Sequence, residues 1–350
     1  MEAPADLVRR SCAALVADAR LVVLDDDRLA ALAPELATAA RRSRAEAEAP
    51  AGGGPESSAA PEPGSAEVDA SAPSPPVVEM IEAEARRVIV SNAVNFGSGY
   101  HDVVDKDPGL SGARTMAARL TRALDDLPVA PAAATGWLRS LTAADCATVF
   151  GQSLDHPEQA ELMALFADAL NQVGRWVAGR GEGSFAAVVA EADGSAQRLA
   201  GQLLAMPFYL DRASVPDDPE GRVVHFYKRA QITAADLARA LPGWPPAAFV
   251  DLGLLTAFAD NLVPHVLRID GALEVEAAVV AAIDRGERLP AGGRAELELR
   301  AAGVEAVERL VRLIDDPDVR AMDLDLALWL RGGGAHYKAH PRHRTRCTFY

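Results

Sequence analysis

The chain has 350 residues, more than a single domain usually holds, and its 49% apolar and 24% charged residues are globular proportions with material for a large core. No apolar run approaches ~20 residues, which excludes a transmembrane helix, and three scattered cysteines exclude a disulfide framework or a cysteine-based zinc site. With 50 acidic against 35 basic residues the net charge is −15, which argues against a partner gripped through many phosphates, such as duplex DNA or tRNA.

Residues 1–6 lack the basic-then-apolar order of a secretory signal, and a cytoplasmic location is expected. Residues 4–42 carry a helical pattern, with Leu7, Cys12, Leu15 and Val16 on one face, so 1–42 reads as N-terminal helices packing on the main body. From 43 to 76 the composition turns to Ala, Gly, Pro, Ser and Glu, and the segment reads as a low-complexity linker or insert. Residues 77–350 read as one helical domain. Helices are predicted over Thr115–Leu124, after a capping box at Thr142 and Asp145, over 157–179, and over Phe185–Leu204, Ala234–Leu241, Leu254–Asn261, Leu273–Arg285 and Ala295–Leu313. The strand candidates are Val88–Ser91, Val223–Tyr227 and Thr345–Tyr350. The predicted fold is mainly α with a minor β element.

No histidine belongs to an HExxH motif, and His336, His340 and His343 sit among Arg342, Arg344 and Arg346, whose charge disfavours a divalent ion, so no metal site is expected. Residues 95–101, NFGSGYH, form a glycine-rich turn that matches neither GxGxxG nor a P-loop, and it is either a tight turn or a backbone that approaches a ligand. Aromatic residues are 5% of the chain and gather beside charges at 225–231, 258–264 and 322–350. Each stretch taken singly is explained by an amphipathic segment with its charges in water. In the last, Asp323 and Asp325 are two apart and point to nearly opposite faces of a helix, whereas Asp325 and Trp329 are four apart and share one. A carboxylate above an aromatic wall suits a cationic transition state.

The strings NFGSGYH (95–101), FYKRAQI (226–232), FADNLVPHVLR (258–268), DLALW (325–329) and HRTRCTFY (343–350) together resemble the queuosine 5′-phosphate N-glycosylase/hydrolase family, the queuosine salvage proteins. The resemblance covers about residues 80–350 and the starting helix Val8–Leu24. This chain has Asn261-Leu262 where the family usually carries an aromatic residue and an arginine, and Leu326-Ala327 where it carries aromatic residues. The resemblance implies a helical fold distantly similar to DNA glycosylases, with 77–350 as the catalytic domain. It implies cleavage of the N-glycosidic bond of queuosine 5′-monophosphate to queuine and ribose 5-phosphate, without a cofactor or metal. It places the catalytic role on Asp325, with Asp260 and Phe258 at the base, Lys228 at the 5′-phosphate, helped by the C-terminal arginines, and His101 and Trp329 near the ligand.

The expected partner is therefore a small molecule, with no stable nucleic-acid complex, no membrane association and a monomeric chain. The alternatives are a helical nucleobase glycosylase acting on DNA or RNA, which needs a basic strand-binding face, and a non-catalytic helical interaction protein.

Overall fold

Pro4 at the first helical position and Val8, Cys12 and Leu15 at helical spacing build α1 (Pro4–Ala17), with those three side chains buried. The computed structural model describes residues 2–48 and 77–350. After α1 the apolar run Val22–Leu24 forms β1, antiparallel to residues 273–275, and α2 (Asp26–Glu48) follows. α2 covers the first six residues of the segment read as a linker; the rest of that segment, 49–76, lies outside the described residues.

α3 (Val77–Ala93) leads through a 3₁₀ turn at Ser98–Tyr100 to α4 (Gly112–Asp125). α5 (Pro131–Ser140), α6 (Ala143–Phe150) and the long α7 (Pro157–Ala178) pack together, and Thr142 and Asp145 cap α6 reciprocally, as their spacing predicts. α8 (Phe185–Ala190) and α9 (Ala196–Leu203) replace one expected helix, because Asp193 and Gly194 take left-handed conformations between them, with φ of 48° and 68°. β2 (Arg212–Ser214) and β3 (Val223–His225) pair antiparallel, and α10 (Lys228–Ala240) starts three residues after β3 ends. α11 (Val263–Ile269), β4 (Leu273–Val275), α12 (Ala277–Asp284), α13 (Arg294–Ile314), α14 (Ala321–Gly332) and α15 (Ala335–Lys338) complete a mainly helical chain with two small sheets. Among the described residues no helix is long and apolar enough to cross a membrane.

Four expectations are corrected. Val88–Ser91 is no strand but the last part of α3, whose buried Ala85, Val88, Ile89 and Ala93 recur at helical spacing. Residues 273–275 are strand β4, so the helix expected from Leu273 begins only at Ala277. Thr345–Tyr350 forms no strand; its backbone oxygens at Thr348 and Tyr350 accept bonds from Arg229 and from the Gly97 amide. Leu254–Asn261 is not a helix either. Its backbone groups are taken by distant side chains: the Thr256 N–H donates to Gln231 Oε1 at 2.9 Å, the Phe258 N–H to Asp325, and the Ala259 oxygen accepts from Arg300.

Two apolar clusters make up the core. One runs through α3, α7, α9 and α10 and includes Phe226, Phe258 and Met322; the other lies among α2, α11, α13 and α14 and includes Ala257, Leu262 and Leu324. Residues 255–262 and the first turns of α14 therefore run along the junction of the two clusters. α1 packs against α13 and α9, and α2 against α14 and α13.

Candidate active site

At that junction Asp325, carried on α14 and 7% exposed, accepts the Phe258 N–H through Oδ1 at 2.9 Å. Asp260 stands two residues beyond Phe258. Its Oδ1 accepts the N–H groups of Leu262 at 2.7 Å and Val263 at 3.1 Å, which fixes the carboxylate at the start of α11. Burial, followed by the like charge of Asp260, pushes the Asp325 carboxyl up to about 8; the Phe258 N–H, Lys228 and Arg239 pull the other way. Lys228, the first residue of α10, is 6% exposed, and its ammonium makes no hydrogen bond or ion pair among the described residues. Burial pushes its ammonium below the usual lysine range, against the pull of Asp260 and Asp325. The structure thus gathers Lys228, Asp260, Asp325 and the Phe258 amide.

The backbone before Lys228 is held under constraint. Tyr227 is left-handed at φ 50°, a conformation uncommon for a non-glycine residue. The N–H groups of Phe226 and Tyr227 both donate to the Asp211 oxygen, at 2.9 and 3.3 Å. Within FYKRAQI only Lys228 faces the carboxylates. Arg229 donates to the backbone oxygens of Ala93, Phe208 and Thr348, and Gln231 bonds Phe226 and Thr256.

Behind the site lies an ionic group that the sequence does not reveal. Arg300 on α13 is 2% exposed and donates to both carboxylate oxygens of Asp211, at 3.1 and 2.6 Å. It also donates to the Ala259 oxygen at 3.2 and 3.0 Å, pairs with Glu296 at 3.4 Å, and lies over the Phe226 ring at 3.9 Å and the Tyr350 ring at 4.6 Å. One guanidinium thereby ties the residue between Phe258 and Asp260 to the residue that holds the entry to Lys228. On α10, Asp236 accepts from Asn92 at 3.0 Å and pairs with Arg239 at 3.2 Å, and the charge of Arg239 reaches Asp325. Nothing local in the sequence marks Arg300, Asp211 or Arg239; burial sets the first two apart.

The Phe258 ring is buried in the core. Trp329 is 43% exposed while Asp325 is buried, so the expected aromatic wall over the carboxylate is not formed: α14 turns Met322, Leu324 and Leu328 inward and leaves Trp329 at its outer edge. Asp323 does point away from Asp325, but it is buried rather than solvated, pairing with Arg320 at 2.7 Å and capping α14. His101 ends the NFGSGYH turn half-buried, its ring against Gly112, where a Cβ would lie 2.8 Å from the imidazole. Burial, then Arg342 and Lys106, push His101 down to about 4, so the ring is neutral.

The turn itself is a docking point for the chain's last residues. Gly97 at φ 107° and Ser98 donate their N–H groups to the Tyr350 oxygen, and a Cβ on Gly99 would lie 2.4 Å from the Thr345 oxygen. Of the C-terminal arginines, Arg344 pairs with Asp102 and Arg346 with Glu158 and Glu161. Among the described residues no group of three or more His, Cys, Asp or Glu side chains is arranged to hold a metal ion.

A family model described as queuosine salvage protein matches residues 80–350. A Sphaerobacter thermophilus protein named queuosine 5′-phosphate N-glycosylase/hydrolase is 36% identical over 276 residues, covering 77% of this chain and 82% of that protein. Proteins of the same name from Bos taurus and Mus musculus are 31% and 34% identical. They cover 69% and 52% of this chain, and 72% and 56% of their own lengths.

Proposed function

The chain belongs to the queuosine salvage protein family, and on that footing we propose that it is a hydrolase that breaks the N-glycosidic bond of queuosine 5′-monophosphate to release queuine and ribose 5-phosphate. The observation that carries this reading is the buried carboxylate of Asp325, held by the Phe258 amide beside Asp260 and Lys228. Glycosidic cleavage passes through an oxocarbenium-like sugar, which an anion in a site of low dielectric stabilises strongly. Asp325 supplies that anion. The C1′–N bond breaks with its electron pair going to the base; water then bonds to C1′, and the proton it gives up balances the one the departing base anion takes up.

In the free enzyme Asp325 holds its proton at neutral pH. Queuine carries a cationic aminomethyl arm, and Asp260, whose Oδ2 accepts no hydrogen bond among the described residues, is its partner. Pairing cancels the like charge that helps keep Asp325 protonated, so binding moves the group toward the ionised form that the transition state needs. A 7-deazaguanine has carbon in place of N7, so protonation there is closed, and departure depends on the charge opposite the sugar and on contacts to other ring atoms. Lys228 takes the 5′-phosphate as a point charge; His101 lies beside the ligand. As part of the same reading the helical body is a distant relative of the DNA glycosylase fold. The chain acts as a cytoplasmic monomer on a free nucleotide, without cofactor, metal or stable nucleic-acid partner.

The test is to incubate the protein with queuosine 5′-monophosphate and with queuosine, following free queuine by mass. Release of queuine from the nucleotide is expected, and no release from either substrate overturns the reading.

A further inference from the structure

We propose that Asn261 is a positioning residue for recognition of the base: by clamping the 95–101 turn to the 343–350 tail beside Asp260, it sets how strongly the protein favours a base with a cationic arm. The inference rests on the reading that Asp260 pairs with that arm, and it adds the residue that aims the carboxylate. Asn261 is 4% exposed. Its Nδ2 donates to the His343 oxygen at 3.0 Å and to Ser98 Oγ at 3.3 Å, across 82 and 163 residues of sequence. A carboxamide carries two N–H donors on one atom, so one side chain satisfies an oxygen on each of two segments. Those segments are already joined, by the Gly97 N–H on the Tyr350 oxygen at 3.0 Å and by Gly99, which backs onto the Thr345 oxygen. Asn261 is therefore anchored to one frame, not to two loose ends.

Asp260 is thereby fixed from both sides. Before it, the Ala259 oxygen accepts from Arg300. After it come the clamp at Asn261 and then Leu262, which lies so close to Gly332 of α14 that a Cβ there would meet the leucine Cδ1 at 2.8 Å. The Asp260 carboxylate turns back onto the N–H groups of Leu262 and Val263 through Oδ1, so the direction of Oδ2 follows the backbone at 261–263. Without the Asn261 amide, the buried His343 oxygen loses its donor and that backbone loses its anchor, while the charge of Asp260 remains. A charge-assisted bond depends steeply on distance and angle, so the penalty falls on recognition of the arm.

The experiment measures by calorimetry the affinity of the full chain for 7-aminomethyl-7-deazaguanine and for its neutral counterpart 7-methyl-7-deazaguanine. The proteins are wild type, Asp260→Asn, Asn261→Ala, the double variant and Asn171→Ala, each with its melting curve. Asn171 on α7 likewise bonds two backbone oxygens, those of Leu141 and Ala167, and is the structural control. Wild type is expected to favour the cationic base. Asp260→Asn should remove about 10- to 100-fold of that preference, the range of one charge-assisted contact. Asn261→Ala should remove about 3- to 10-fold, because the charge stays but is misplaced. In the Asp260→Asn background the same change should shift the preference by less than about twofold, since it acts through that carboxylate. Asn171→Ala leaves the preference unchanged. Ser98→Ala, which removes one of the two bonds from its far end, gives a smaller loss in the same direction and replaces Asn261→Ala if that variant does not fold. No preference in wild type, a preference that ignores both Asn261 and Ser98, or equal effects with and without the Asp260 carboxylate overturns the proposal. If the preference depends on Asn261 but wild type releases no queuine from the nucleotide, the positioning role stands and the hydrolase reading falls.

Discussion

Asp325 accepts the backbone N–H of Phe258 at 2.9 Å across 67 residues of sequence, and this bond joins the two halves of the candidate site. It aims the carboxylate, occupies one of its oxygens and draws it toward Asp260. The bond lowers the cost of charge on Asp325 but does not cancel the effects of burial and of Asp260. A group placed in that balance is sensitive to a single nearby charge.

The first prediction concerns stability against pH. The Asp325 carboxyl stands at about 8 in the folded protein against an ordinary 3.8. Between those values the native state holds a proton that the unfolded chain has lost, so this group makes stability fall as pH rises, by up to about 1.4 kcal/mol per pH unit. Asp325→Asn mimics the protonated form and can still accept the Phe258 N–H. The variant should melt near wild type at about pH 4 and increasingly above it toward pH 8. Melting below wild type at pH 8 contradicts the account.

Asp323→Asn should behave differently. It weakens a buried pair with Arg320 and the cap of α14, so a loss of about 1–3 kcal/mol is expected in urea unfolding. Turnover per folded molecule should stay near wild type, and a stable but inactive Asp323→Asn protein would shift the chemistry from Asp325 to Asp323.

Lys228→Ala removes a cation that acts on Asp325 and that is proposed to hold the phosphate. At pH 7 both nucleotide and nucleoside should lose kcat/KM, because the Asp325 carboxyl moves further up. At pH 9, where Asp325 is ionised in the parent protein, the remaining loss of about 1.5–3 kcal/mol should fall mainly on the nucleotide. A loss that stays equal for both substrates at pH 9 removes Lys228 from the phosphate.

Arg300→Ala strands Asp211 and Glu296 in the core. The expected cost is about 3–5 kcal/mol, because breaking a buried pair leaves charge without a partner. Arg300→Lys should cost less but lose the paired geometry to Asp211. A shift under about 1 kcal/mol for the alanine variant, read from urea denaturation, would show that the network contributes little.

What the sequence made legible was local. α7 and α13 follow from their apolar periodicity, and the cap of α6 from Thr142 and Asp145 three residues apart. Asp260, Lys228 and Asp325 came from short motifs, and the structure brings these three together. Pairings over distance were not legible. β1 and β4 are some 250 residues apart and meet only because α1, α11 and α13 bring them side by side. Leu254–Asn261 has helical spacing, but its backbone groups bond to Gln231, Arg300 and Asp325, which no periodicity encodes. Arg300 and Asp211 look like ordinary surface charges until the fold buries them. Trp329 misled because four residues on a helix place two side chains on one side without saying which of them reaches the core.

The central claim is that the charge of Asp325 carries the glycosidic cleavage. The most direct measurement is single-turnover release of queuine from queuosine 5′-monophosphate by wild type and Asp325→Asn, each shown to be folded by its melting curve. The account predicts a rate lower by about 10²–10⁴-fold in the variant, with nucleotide affinity changed far less. A folded Asp325→Asn protein that releases queuine at close to the wild-type rate would contradict it.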